Sequence, residues 1–101
     1  MVEERNTMEK LLDEKREEIK RIAAKHGAYN VRVFGSFARG EAMPDSDVDF
    51  LVAAGEKTSS WFPGGLAIDL EELLGREVDV VTDKGLDPLI RDYVLQEAVP
   101  L

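Results

Sequence analysis

Two carboxylates one residue apart, Asp47 and Asp49, stand at the head of the apolar run Phe50-Leu51-Val52-Ala53. A run of that composition predicts a strand. Side chains alternate across a strand, so both carboxylates point to one face, with Cα atoms roughly 6.6 Å apart. Like charges so placed repel unless a cation relieves them. Mg²⁺ takes oxygen ligands, and a two-metal site holds its ions roughly 3.5–4 Å apart, so a D-x-D pair opening a strand suits that chemistry. About a dozen residues earlier, Gly35-Ser36 closes another short strand pattern, Val31 to Phe34. Glycine there lets the chain turn tightly and lets a ligand come close to the backbone. Successive N–H groups in such a turn form a concavity for anions, and the Ser36 hydroxyl adds a donor. A phosphate cradle and a metal pair thus sit on adjacent segments, with Arg39-Gly40 between them.

The elements that must position these groups follow from periodicity. Asn6 with Glu9 three residues on reads as a capping-box start for a helix running to about His26, with Gly27 as its stop. Met8, Leu11, Leu12, Ile19, Ile22 and Ala23 share one face of it, and Lys15 interrupts the stripe. His26, the only histidine, sits in the last turn, where a capping or exposed role is expected. Strands are expected over 31–34 and 48–53, and residues 54–65 form a loop by composition. Trp61 and Phe62 in that loop either pack inward or offer a face on which a base stacks. Leu66 to Leu74 reads as a helix ended by Gly75. Glu77 to Thr82 reads as a third strand in which Asp79 lies between valines, where an unpaired carboxylate would be costly if buried. Asp87-Pro88 is an N-cap with proline at N1, opening a helix whose apolar face is Leu89, Ile90, Tyr93 and Val94. The apolar tail Ala98 to Leu101 either adds an edge contact or meets a partner.

Composition sets bounds. At 101 residues the chain is expected to be a single domain, 1–101, with one modest core. It has no cysteine, a charged N-terminus and no apolar run longer than five residues. A cytoplasmic setting is therefore expected, with no membrane association. Net charge is −8, and all of it arises from residues 28–101, where fourteen acids face six bases. The half carrying the motif is acidic, which speaks against nucleic acid as a partner.

The stretch Gly35 to Val52, G-S-F-A-R-G-E-A-M-P-D-S-D-V-D-F-L-V, resembles the active-site motif of the DNA polymerase β-like nucleotidyltransferase superfamily. It looks most like the minimal nucleotidyltransferases of that group. The resemblance extends over about residues 8–97, and its specific part is residues 34–52 with Asp79. It implies an α/β (α+β) nucleotidyltransferase fold, a small mixed sheet with helices packed against it. It implies transfer of a nucleoside monophosphate, AMP from ATP in the expected case, to a hydroxyl with release of pyrophosphate. Two Mg²⁺ ions would be held by Asp47, Asp49 and Asp79. Glu77 is the rival of Asp79 for the third carboxylate, and Asp79 is also the implied general base. Gly35 and Ser36 would hold the β- and γ-phosphates, and Arg39 is a candidate cation for the triphosphate. The minimal members resemble antitoxins encoded beside HEPN-domain toxins, some of which transfer AMP to the toxin. A HEPN-type partner protein is therefore the expected acceptor. A partner-binding antitoxin without turnover and a nucleotide-sensing module are the alternatives, and self-association stays open.

Overall fold

The computed structural model describes residues 7–101, as helices α1 (Thr7–Glu14), α2 (Arg16–Lys25), α3 (Ser36–Arg39), α4 (Gly64–Leu74) and α5 (Pro88–Glu97), and strands β1 (Ala28–Phe34), β2 (Val48–Ala54), β3 (Val78–Thr82) and β4 (Val99–Pro100). The strands form one mixed sheet in the order β3-β2-β1-β4. β1 runs antiparallel to β2 and β4, and β2 runs parallel to β3. The fold is the mixed α+β architecture that the sequence implies.

Strand periodicity divides the sheet into two faces. On one, Val33, Val48, Phe50, Val52, Val78 and Val80 are buried against Leu12, Ile19 and Ala23 of the first two helices and Leu66, Leu70 and Leu74 of α4. Phe50 and Leu66 are fully buried, each such side chain contributing about 1.5–3 kcal/mol. On the other face Leu51 meets Leu86 and Val94, with Phe34, Val81 and Leu95 packed around them. Asp49 and Asp79 share the parity of Leu51 and Val81, so they lie on the face that α5 covers.

Several expectations change in detail. The long N-terminal helix is two helices, with a bend at Lys15 (φ −102°, ψ 6°). Hydrogen bonds still run through the bend, from Lys15 N–H to Leu11 O (3.2 Å) and from Ile19 N–H to Lys15 O (2.8 Å). The capping box at Asn6 lies outside the described residues, as does the side chain of Met8. The turn after Gly35 is a one-turn helix, α3, closed by Gly40 in the left-handed conformation. On α5 only Val94 of the expected apolar face is buried; Leu89, Ile90 and Tyr93 are exposed. Asp87 caps α5 as expected, its Oδ1 accepting from Leu89 N–H at 2.9 Å. The tail takes the first of its two expected roles: Val99 pairs with Val33 and makes β4 an edge strand.

His26 is neither a cap by its side chain nor exposed. Its ring spans Ser59 Oγ (2.5 Å, from Nδ1) and Asp69 Oδ2 (2.7 Å, from Nε2), tying the 55–63 loop to α2 and α4. Phe62 of that loop packs on the core, whereas Trp61 is 89% exposed. The loop leaves the far end of β2, roughly 17 Å of strand from Asp49 at about 3.3 Å per residue.

Candidate active site

Strand register brings the acidic residues together. In the parallel pair, Asp49 of β2 is aligned with Asp79 of β3. Neighbouring strands lie about 4.8 Å apart, and Asp47 is two residues from Asp49 on the same face. Glu77 falls just before β3, where its carbonyl accepts from Val48 N–H at 3.0 Å. Asp79 rather than Glu77 is therefore the residue in line with Asp49. Both Asp47 and Asp79 are exposed and Asp49 is half-buried, so the cost expected of a buried carboxylate at Asp79 does not arise. β3 is the edge of the sheet, which leaves that side open.

The antiparallel pair delivers the other half of the site. Phe34 at the end of β1 is the partner of Asp49, so the chain turns at Gly35 directly against that carboxylate. Gly35 has φ +75° and ψ −152°, and a methyl group on it would overlap Asp49 Oδ2. Both facts demand glycine: the backbone region is unfavourable for an L side chain, and no Cβ fits. The N–H groups of Ala38 and Arg39 both donate to Gly35 O, at 3.0 and 3.1 Å, which fixes the turn. Ser36 opens α3, half-buried, and its hydroxyl has no hydrogen-bond partner among the described residues.

Two further residues shape the site, and the sequence reading did not single them out. Arg76 donates from Nη1 to Ser46 O at 3.2 Å and lies over the Phe37 ring, 5.5 Å from its centroid. It pins the segment before Asp47 to α3. Glu97, on the last turn of α5, accepts from Gly35 N–H at 3.0 Å and from Arg39 Nη1 at 2.6 Å. Its one sequence signal was an acidic residue at a helix C-terminus, where the helix dipole disfavours it. Arg39 also donates from Nε to Glu41 at 2.8 Å.

The charges respond to one another. Burial pushes the Asp49 carboxyl up to about 6, with Asp79 and Asp47 adding like-charge repulsion and Arg39 opposing it. Burial alone would also raise Glu97, but the hydrogen bonds from Arg39 and Gly35 outweigh it and hold that carboxyl below its ordinary value. The bonds to Glu41 and then Glu97 push Arg39 higher still, so it stays a cation.

The donor set suits a hard divalent cation: all the donors are oxygens, they are acidic, and at Asp49 they carry repulsion that a cation would relieve. Among the described residues no three His, Cys, Asp or Glu side chains close around a point as a preformed cage. Asp47, Asp49 and Asp79 therefore do not form a preformed three-carboxylate metal site among the described residues.

Comparison with known proteins places the chain among relatives of one family. A protein of Methanocaldococcus jannaschii with the provisional name protein adenylyltransferase MJ0435 is 46% identical over 86 residues, covering 81% of this chain and 92% of its own. Protein adenylyltransferase MntA of Thermococcus cleftensis is 42% identical over 80 residues, covering 79% and 81%. A solved structure described, again provisionally, as a minimal nucleotidyltransferase superposes with a TM-score of 0.81 at 48% identity, over 92% of this chain and 95% of that one. A toxin–antitoxin structure with AMP-PNP shares the fold at a TM-score of 0.72 and 21% identity, over 83% of this chain and 69% of that one. A family model described as the nucleotidyltransferase domain matches residues 12–101, and the chain belongs to that family.

Proposed function

We propose that the protein transfers AMP from ATP to a hydroxyl on a partner protein and acts in this way as an antitoxin. The observation that carries this reading is the alignment of Asp49 with Asp79 across β2 and β3, with the Gly35 backbone packed against the same Asp49 carboxylate. A relative at 42% identity is named a protein adenylyltransferase, and a solved structure of the same fold is a toxin–antitoxin with AMP-PNP. A HEPN-type partner follows from the motif resemblance.

In the proposed reaction the acceptor oxygen forms a bond to the α-phosphorus of ATP, and the bond from that phosphorus to the bridging oxygen breaks. Pyrophosphate leaves with the electron pair. Asp79, on the open edge strand, accepts the hydroxyl proton. Asp47, Asp49 and Asp79 are the residues that would hold Mg²⁺, which supplies charge neutralisation at the polyphosphate and lowers the pKa of a bound hydroxyl. Gly35 N–H and the unpartnered Ser36 hydroxyl donate to the terminal phosphates. Arg39 supplies a fixed positive charge within reach of them. Catalysis of this kind is mostly positioning and electrostatics, which suits a site built from strand ends and one tight turn.

A binding-only antitoxin is the second reading. It requires only a docking face, which the exposed apolar side chains of α5 offer, with Leu89 at 92% and Tyr93 at 64% exposure. Incubation with ATP labelled in the adenosine, Mg²⁺ and cell lysate separates the two. Transfer predicts one labelled protein band that disappears with Asp79→Asn. A complex that captures a partner and never labels it favours binding alone.

A further inference from the structure

Glu97 is placed where an acidic residue needs a reason to be. It lies on the last turn of α5, and no basic residue of that turn offsets it against the helix dipole. Its compensation comes from 62 and 58 residues away in sequence: Oε2 accepts from Gly35 N–H and Oε1 from Arg39 Nη1. The side chain is only 12% exposed, so it is seated in the turn rather than resting on it. These two donors are the ones that the proposed reaction assigns to the triphosphate. A carboxylate and a phosphate offer them the same thing, two negatively charged oxygens for charge-assisted hydrogen bonds.

We infer that Glu97 occupies the phosphate cradle as an internal anion and thereby sets the affinity and selectivity of the site. This rests on the reading of Gly35 and Arg39 as phosphate donors and deepens it. A ligand replaces Glu97 only by offering more charge and more oxygens to the same donors, together with a cation that offsets the acidic residues around it. A metal-complexed triphosphate meets that condition. A nucleoside monophosphate does not.

The test is calorimetry on the full chain with the Mg²⁺ complex of a non-hydrolysable ATP analogue, and separately with AMP. Parent, Glu97→Gln and Glu97→Asp are compared after circular dichroism has verified each fold. Gln keeps the size and one acceptor oxygen but removes the charge; Asp keeps the charge but shortens the reach. The Gly35 amide resonance is followed in parallel. Displacement predicts that both variants bind the analogue at least tenfold more tightly, that AMP binding becomes measurable in Glu97→Gln, and that the Gly35 amide of the parent shifts as the analogue binds. Weaker or unchanged binding in the variants makes Glu97 a brace for the turn and overturns the inference alone. No binding of the analogue to parent or variants overturns the nucleotide reading and the inference with it. Binding by Glu97→Gln where the parent binds nothing supports both.

Discussion

Replacing Asp49 with Asn should stabilise the metal-free protein at neutral pH. The half-buried Asp49 carboxyl is pushed from an ordinary 3.8 up to about 6, first by burial and then by Asp79 and Asp47. Its folded pKa lies above its unfolded one, so the native state binds the extra proton between those values. Stability contributed by this group is therefore present at low pH and lost as pH rises from about 4 through about 6. A shift of about two units corresponds to about 3 kcal/mol at 1.36 kcal/mol per unit. Solvent screening of a half-buried group reduces that to about 1–2 kcal/mol. Asn has nearly the same shape and no charge to desolvate. Urea denaturation of parent and Asp49→Asn in chelator, from pH 4 to pH 8, measures the difference directly. It should be near zero at pH 4, grow between about pH 4 and 6, and level off at about 1–2 kcal/mol in favour of the variant. In thermal melts that is several degrees, since about 1 kcal/mol moves the Tm of a domain this size by about 4–8 °C. A variant less stable than the parent at pH 7, or a difference that does not change with pH, would refute the electrostatic account of the site.

Three further outcomes are expected. Mg²⁺ or Mn²⁺ should raise the Tm of the parent by mass action, and the double variant Asp47→Asn with Asp49→Asn should lose that rise; an equal rise in both places the cation elsewhere. Ser36→Ala should leave the melting curve intact and weaken binding of an ATP analogue roughly ten- to a hundredfold, as a lost hydrogen bond to a charged group of about 1.5–3 kcal/mol requires; an unchanged dissociation constant takes Ser36 out of the site. Gly35→Ala should destabilise the fold by more than about 1 kcal/mol, because it adds backbone strain and drives a methyl group into Asp49. A stable Gly35→Ala protein that still binds nucleotide would show that the turn is looser than this.

What was legible in the sequence was local chemistry. Gly35-Ser36 and Asp47-x-Asp49 carry their own geometry, a tight turn and a strand face, and their combination in one motif with its family resemblance singled them out. Asp79 was legible because the valines around it mark a strand and the family resemblance implies a third carboxylate on the strand after the intervening helix; its register with Asp49 is visible only in the structure. Glu97 was not legible, because its role depends on α5 crossing the sheet face to meet a turn 62 residues earlier. The stripe Leu89, Ile90, Tyr93 and Val94 has helical period, and periodicity cannot tell a face turned to the core from one left open. Only Val94 reaches Leu51. The His26 bridge was missed for a related reason. Ser59 and Asp69 are 33 and 43 residues from it, and composition gives no sign that the three converge.

The measurement closest to the central claim is intact-mass spectrometry of the partner protein after co-expression with the parent chain and with Asp79→Asn. The account predicts a partner carrying an added adenylyl group with the parent and none with the variant, while both chains still form the complex. A partner that gains the group regardless of Asp79, or that is bound and never modified in the presence of ATP and Mg²⁺, would contradict it.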